Sequence, residues 1–169
     1  MTGFIRYPWR WYLLAALVVL LDQGSKQLAL ASLEYGESVA LLPSLNLTLL
    51  YNPGAAFSFL SDAGGWQRWF FTVVGAGVSL FIVGWISRLS AGQGLLATSL
   101  ALVLGGALGN LWDRMALGHV VDFIDVYYQS YHWPAFNVAD SAITVGALLL
   151  ILESLFSGAG SKKEDVNHE

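Results

Sequence analysis

Residues 95–112 read LLATSLALVLGGALGNLW, eighteen consecutive residues without a charged side chain. A run of this length and apolarity spans the roughly 30 Å hydrocarbon core of a bilayer as one α-helix. Three further runs are long and apolar enough to do the same, at about residues 11–31, 69–86 and 136–156. The sequence therefore predicts an all-α membrane protein built as a bundle of four transmembrane helices.

The composition of the chain supports insertion into a membrane. Of its 169 residues, 56% are hydrophobic and only 12% are charged, which is far from the balance of an ordinary soluble domain. Cysteine is absent, which excludes a thiol nucleophile, a disulfide bond and thiolate ligation of a metal. The formal net charge of -4 provides no basic patch for nucleic acid, so we expect no DNA or RNA partner.

Basic residues at the span ends predict the orientation of the bundle. Two arginines precede the first span, one lies between the second and third, and two lysines follow the fourth. Because cytoplasmic segments are enriched in Lys and Arg, both termini are expected to be cytoplasmic. The loops at about 32–67 and 113–135 then face outward. Residues 1–157 are predicted to form one membrane domain, and residues 158–169 a mobile cytoplasmic tail.

The N-terminal run also resembles a cleavable secretory signal. Basic residues precede its apolar core, and the small triplet Ala29-Leu30-Ala31 follows it. Asp22 and Lys26, however, lie between the apolar core and that triplet, and the intervening stretch is unusually long for a cleavage region. We therefore expect the first span to be retained.

The first outward loop contains a pattern typical of a β-strand. Residues 45–51 read LNLTLLY, in which apolar side chains recur at every second position. Residues 39–42 can pair with this strand through a turn at Pro43-Ser44. We predict a small extracytoplasmic β-sheet that ends in Asn52-Pro53-Gly54-Ala55-Ala56-Phe57, whose small residues allow close approach of the backbone. The alternative is a simple turn followed by an interfacial segment.

Polar side chains of the spans fall in the outer half of the bilayer or at its surface, given a rise of 1.5 Å per residue. They are Asp22, Lys26, Asn110, Arg114, Asn137 and Asp140. Such groups are costly near hydrocarbon, so a shared functional site is the economical explanation. Asp22 and Lys26 are four residues apart on one helix and are expected to neutralise each other as a structural pair.

Two acids, Asp122 and Asp140, flank the N-terminal approach to the fourth span. Two carboxyl groups at close range share one proton between an acid and a base, which is the arrangement of aspartic proteases. The pattern is also explained if Asp140 is a helix cap or first-turn acid and Asp122 a solvated loop charge. The spacing alone leaves both interpretations open.

The third span carries a packing motif beside its polar end. Gly105 and Gly109 form a G-x-x-x-G step suited to close helix contact, which would hold Asn110 and Arg114 in fixed geometry. Asp113 stands next to Arg114 in the sequence. We interpret it as a local ion-pair partner of Arg114 or a helix-end residue rather than as a catalyst.

Five segments follow one another along the chain in a recognisable order. They are Asp22-Gln23-Gly24-Ser25-Lys26, Asn52-Pro53-Gly54-Ala55-Ala56-Phe57, Gly105-Gly106-Ala107-Leu108-Gly109-Asn110-Leu111-Trp112-Asp113-Arg114, Val120-Val121-Asp122-Phe123 and Phe136-Asn137-Val138-Ala139-Asp140-Ser141. Together, on a four-span protein, they resemble the lipoprotein signal peptidase family, also called signal peptidase II. The resemblance covers nearly the whole chain, and Pro53 stands where the family more often has Thr.

The resemblance implies an aspartyl endopeptidase of the bacterial cytoplasmic membrane, with its active site facing the periplasm or exterior. Such an enzyme removes signal peptides from diacylglyceryl-modified prolipoproteins and cuts on the N-terminal side of the lipidated cysteine. By this likeness Asp122 and Asp140 are the catalytic dyad, and Asp22 and Lys26 are supporting residues. The substrate-binding residues it implies are Asn52, Gly54, Asn110, Arg114 and Asn137.

The expected partners are lipid-modified prolipoproteins and membrane lipid, with the chain acting as a monomer. No cofactor is implied. His119, His132 and His168 have no suitable partners at ligand spacing, so no metal site is predicted.

Two other classes of protein remain open on the residues alone. A small ion- or proton-coupled transporter could use the intramembrane Asp, Lys and Asn side chains as an ion path. It predicts polar groups on both sides of the midplane and inverted symmetry between the halves, and the sequence shows neither. An assembly protein that uses Gly105 and Gly109 for helix contact leaves the acidic pair and Arg114 unexplained.

Overall fold

The computed structural model describes residues 8–54 and 65–164, with side chains up to residue 156. Four α-helices are long and apolar enough to cross a membrane, namely α1 (Trp9–Ser32), α2 (Trp66–Ile86), α3 (Gly94–Ala116) and α4 (Val138–Glu164). Four β-strands accompany them, namely β1 (Ser38–Leu42), β2 (Leu45–Asn52), β3 (Val120–Tyr128) and β4 (Tyr131–His132). The predicted four-helix membrane bundle with a small sheet is confirmed.

The sheet is larger than the sequence predicted. β1 and β2 pair antiparallel across Pro43-Ser44, as expected, and Ser44 adopts a left-handed conformation with φ 67°. β3, from the segment between α3 and α4, then pairs with both β2 and β4 to give the order β1-β2-β3-β4. β3 was not predicted because its first four residues, 120–123, are all buried, so its sequence has no alternation of apolar and polar side chains.

Helix α3 is the centre of the bundle and contacts each of the other three helices. A methyl group added at Gly105 would lie 2.6 Å from Cβ of Val18, and one at Gly109 would lie 2.6 Å from Oδ2 of Asp22. Both glycines therefore let α3 approach α1 closely, which confirms the predicted packing seam. In lipid, this close packing and interhelical hydrogen bonds replace the hydrophobic effect as the source of helix association.

The sheet rests on the C-terminal end of α1. Leu49 of β2 and Val121 and Phe123 of β3 form a buried apolar cluster with Ala29 of α1. Because this cluster lies beyond the apolar middle of the bundle, burial of its side chains fixes the sheet to the helices and so positions β3 over the helix ends.

The helix ends differ in detail from the predicted spans. α3 continues to Ala116, so its polar C-terminal residues remain helical, and α4 begins at Val138, two residues later than expected. α4 also continues to Glu164, into the segment predicted as a tail from residue 158. The mobility of that tail stays a prediction. Residues 165–169 and the Ala55-Ala56-Phe57 part of the motif after β2 lie outside the described residues.

Candidate active site

The side chains of Asp122 and Asp140 are joined through two asparagine amides. Asn137 Nδ2 donates to Asp122 Oδ1 at 2.8 Å, and Asn110 Nδ2 donates to Asp140 Oδ1 at 2.7 Å. The two amides are themselves linked, because Asn137 Nδ2 also donates to Asn110 Oδ1 at 3.1 Å. The fold thus brings together four residues that the sequence predicted for one site, from β3, α3, α4 and the residue that precedes α4.

Asp122 is held by the sheet. It lies in β3 opposite Leu50 of β2, and only 3% of its surface is exposed. Asn52, at the end of β2, donates from Nδ2 to Asp122 Oδ2 at 3.1 Å, so both carboxyl oxygens accept a hydrogen bond. The alternative interpretation of Asp122 as a solvated loop charge is therefore wrong.

Asp140 lies in the first turn of α4, as one of the two sequence interpretations held. The side chain that caps the helix is Asn137, whose Oδ1 accepts the backbone N–H of Asp140 at 2.9 Å. Asp140 Oδ1 is thereby left to the Asn110 amide. The positive end of the helix dipole favours a negative charge at this position.

The environment of Asp122 changes its acidity. Burial raises the pKa of Asp122 from 3.8 to about 7, and the negative charge of Asp140 acts in the same direction. The hydrogen bonds from Asn52 and Asn137 oppose this rise without cancelling it. Asp122 is therefore able to keep a proton near neutral pH, as a general acid requires.

Arg114 lies in the last turn of α3 with part of its hydrogen-bonding capacity unused. Its guanidinium lies 5.3 Å from the ring centroid of Phe71, and Nη1 reaches the backbone oxygen of Asn110 at 3.4 Å. Within the described parts of the chain, its buried Nε has no acceptor. The Arg114 charge also interacts with both Asp122 and Asp140, so it is suited to stabilise a negatively charged oxygen near them.

Gly54 lies between Asn52, at the end of β2, and Phe71, the ring next to the Arg114 guanidinium. Its N–H donates to Asn52 Oδ1 at 2.9 Å, which orients the amide whose nitrogen holds Asp122. Its φ of 118° is a conformation that side chains disfavour, and a methyl group there would lie 2.8 Å from Cδ2 of Phe71. Phe71 thus contacts both Gly54 and the Arg114 guanidinium.

We expect Gly54→Ala to lower the melting temperature and to reduce kcat/KM by about tenfold, because the new methyl group displaces Phe71 and with it Arg114. Gly36→Ala is the matched control, since Gly36 also has positive φ but has open space around its Cα. Thermal unfolding and cleavage assays on both variants measure the difference. Equal losses in the two variants would show that backbone strain alone is responsible.

Lys26 forms the predicted pair with Asp22, with Nζ 2.7 Å from Oδ2. It also lies 2.8 Å from Oδ2 of Asp113, which is only 1% exposed. Of the two interpretations of Asp113, the ion pair with Arg114 is therefore wrong, whereas its position near the end of α3 is confirmed. Neighbouring residues on a helix do not face each other, so Asp113 faces α1 while Arg114 faces Phe71 of α2.

Several residues around the site were missed by the sequence reasoning. Gln23 Nε2 donates to Asp113 Oδ1 at 2.8 Å, and Arg68 Nε donates to the backbone oxygen of Arg114 at 2.9 Å. Gln23 directly follows Asp22, and two consecutive polar residues within an apolar span could have indicated a buried contact. Arg68 was a cation at the outer end of a span, contrary to the positive-inside rule. Nothing in the sequence distinguished Phe71 from other aromatic residues.

Comparisons with known proteins identify the family of the chain. The family model described as signal peptidase (SPase) II matches residues 14–156. A lipoprotein signal peptidase of Cellvibrio japonicus is 55% identical over 145 residues, which cover 86% of this chain and 85% of the relative. A lipoprotein signal peptidase of Shewanella piezotolerans is 54% identical over 156 residues and covers 92% of both chains.

Solved structures agree as well. A bacterial membrane enzyme determined by the in meso method at 2.3 Å resolution superposes with a TM-score of 0.81, at 31% identity and 95% coverage of both chains. A second, at 1.9 Å resolution, gives a TM-score of 0.78 at 32% identity, covering 92% of this chain and 97% of the other. These findings do not support the transporter interpretation. The chain belongs to the signal peptidase II family of membrane proteases.

Proposed function

We propose that this chain is an aspartyl endopeptidase that removes the signal peptide from diacylglyceryl-modified prolipoproteins, on the N-terminal side of the lipidated cysteine. Family membership supports the protease and the class of precursor. The aspartic mechanism rests on one observation, which is the hydrogen-bonded chain from Asp122 through Asn137 and Asn110 to Asp140.

Hydrolysis by this pair divides the acid and base roles between the two carboxyl groups. Asp140, at the helix N-terminus, accepts a proton from the attacking water, while protonated Asp122 donates to the scissile carbonyl oxygen. The tetrahedral intermediate then collapses, and its nitrogen leaves with a proton from the dyad. The Asn110 and Asn137 amides hold the two carboxyl groups in position, and the positive charge of Arg114, which interacts with both aspartates, stabilises negative charge on the intermediate.

The resemblance also implies a set of substrate-binding residues and an orientation of the site in the membrane. The residues assigned to substrate binding are Asn52, Gly54, Asn110, Arg114 and Asn137, all at the end of the bundle that carries the sheet. The basic residues at the opposite ends of the spans favour a cytoplasmic location for both termini, so the site faces the periplasm or exterior. The diacylglyceryl group remains in the outer leaflet while the peptide is cut, and one copy of the chain suffices.

Cleavage by purified protein in detergent micelles tests the function directly. A diacylglyceryl-modified precursor should release its signal peptide, detected by mass spectrometry, and the same precursor without the lipid should be cut far more slowly. The site of cleavage should place the lipidated cysteine at the new N-terminus. Absence of the released peptide from the lipidated precursor would contradict the proposal.

The pKa of Asp122 predicts the pH dependence of the reaction. Because Asp122 must carry a proton, kcat/KM should fall as pH rises through about 7, where that proton is lost. Asn52→Ala removes a hydrogen bond that lowers this pKa, so the alkaline limb of the profile should move to higher pH. Initial rates measured from pH 5 to pH 9 check both. A limb that stays in place in Asn52→Ala would remove Asp122 as its origin.

A further inference from the structure

Three charged side chains are buried together beside the proposed dyad without being part of it. Asp22 is 0% exposed, and Lys26 and Asp113 are each 1% exposed. The Lys26 ammonium lies 2.7 Å from Asp22 Oδ2 and 2.8 Å from Asp113 Oδ2. One ammonium thus bridges two carboxylates, one on its own helix α1 and one on α3. Ions buried this deeply need directed partners, so their remaining contacts are informative.

Each of these carboxylates also holds the backbone immediately before one of the proposed catalytic aspartates. Asp22 Oδ1 accepts the N–H of Ala139 at 2.9 Å, next to Asp140. Asp113 Oδ2 accepts the N–H of Val121 at 3.1 Å, next to Asp122. In both contacts a carboxylate oxygen accepts a backbone N–H from another element. The first joins α1 to α4, and the second joins α3 to β3.

The ammonium has a third contact, which orients an amide of the dyad chain. Lys26 Nζ donates to Asn110 Oδ1 at 3.1 Å, and Asn137 Nδ2 donates to the same oxygen. Because that oxygen is occupied by two donors, the Asn110 nitrogen is the atom directed at Asp140. Loss of the ammonium would remove one of the two contacts that fix this orientation.

Charge balance explains why the contacts are strong. Two carboxylates and one ammonium leave one net negative charge, and backbone N–H groups together with the Gln23 amide supply the remaining donors. Gln23 Nε2 contacts both acids, at 2.8 Å from Asp113 and 3.2 Å from Asp22. Hydrogen bonds to charged groups are shorter and more directional than neutral ones, so they restrict the backbone they hold.

We propose that Lys26, Asp22 and Asp113 act as a positioning triad that sets the spacing of the two catalytic carboxyl groups, by fixing the backbone before Asp122 to α3 and the backbone before Asp140 to α1. This inference rests on the proposed function, since it presumes that those two aspartates react. It gives Asp113 a role in the reaction although its carboxylate contacts Lys26, Gln23 and the Val121 N–H rather than the two reacting carboxyl groups.

Asp113→Asn is the informative variant, because it keeps the shape of the side chain and removes its charge. We expect kcat to fall by about 10- to 100-fold with KM unchanged, since a displacement of about 1 Å in a reacting group costs that much. In 15N-labelled protein in micelles, the Val121 amide should exchange faster with solvent while the Ala139 amide stays protected. Asp22→Asn should reverse this pattern of exchange.

Asp125→Asn is the matched control, since Asp125 lies on the same strand and pairs with His132 and Asn46 away from the dyad. It should leave kcat, KM and both amides unchanged. If Asp113→Asn fails to fold, Gln23→Ala removes only one donor to each acid and should lower kcat less, again without changing KM. Wild-type kcat in folded Asp113→Asn, or a change in KM alone, would overturn the proposal.

Failure of the positioning role and failure of the proposed function give different results. If Asp122→Asn still turns over substrate, the dyad assignment is lost, whatever the exchange rates show. If Asp122→Asn is inactive but Asp113→Asn has the wild-type kcat with an exposed Val121 amide, the dyad stands and only the positioning role is lost.

Discussion

Replacement of Asp122 or of Asp140 by Asn is expected to reduce release of the signal peptide by about 10³-fold or more, because general acid and base catalysis each contribute on the order of 10²- to 10⁴-fold. Asparagine keeps the size of the side chain and an acceptor oxygen for the neighbouring amides, but it can neither accept nor deliver the proton. The measurement is the single-turnover rate on a lipidated precursor.

Stability separates this result from simple unfolding. Asp122 is buried and Asp140 half-buried, and their charges repel when both are ionised, so Asp140→Asn should leave the melting temperature unchanged or raise it. Asp122→Asn relieves the same repulsion but turns an NH2 group toward one of the two amide donors that hold Asp122, so its melting temperature should fall slightly. Both variants should still fractionate with the membrane. Asp125→Asn, remote from the dyad on the same strand, should remain active. Retained turnover in either dyad variant would contradict the aspartic mechanism.

Lys26→Met is expected to cause the largest loss of stability, about 3–5 kcal/mol, because removal of one partner leaves buried carboxylates uncompensated. Asp22 and Asp113 would both lose their 2.7–2.8 Å ion pairs with Nζ. Unfolding by denaturing detergent in mixed micelles measures the change. Arg88→Met is the control, since Arg88 is an exposed cation at the end of α2 and should cost little.

A triple variant gives a second check on the same charge balance. Adding Asp22→Asn and Asp113→Asn to Lys26→Met removes all three charges at once. Neutral partners in a buried cluster no longer carry the desolvation cost of ions, so part of the lost stability should return. A triple variant less stable than Lys26→Met would show that the ion pairs are not the cause. Cleavage should remain impaired in either case, since the backbone contacts are weakened.

The four spans could be predicted from the sequence because length and apolarity alone determine whether a helix crosses a bilayer. Pairing of β1 with β2 was equally accessible, since alternation and the Pro43-Ser44 turn are local signals. β3 was not, because a strand buried on both faces has no alternation. The strands β2 and β3 are separated along the chain by the whole of α2 and α3, so no local sequence signal predicts that they pair.

The site was predictable to the extent that its motifs resemble a family. Residue spacing alone was also consistent with Asp122 as a solvated loop charge, and its burial in β3 excludes that interpretation. The partners of Asp113 could not be predicted in the same way. Helical periodicity gives the face on which a residue lies, but which helix packs on that face depends on the order of helices in the bundle. Lys26 is 87 residues from Asp113 in the chain and adjacent to it in space.

The Asn137 amide makes three separate contacts, and this restricts the substitutions that the position can tolerate. It caps α4, orients Asp122 and steadies Asn110. Resistance to an inhibitor that binds this amide would be difficult to acquire by mutation, because a substitution that weakens inhibitor binding would also remove the cap of α4 and misalign the reacting groups. Substitutions that reduce ligand binding without loss of activity are therefore expected at residues that contact none of Asp122, Asn110 and the first turn of α4.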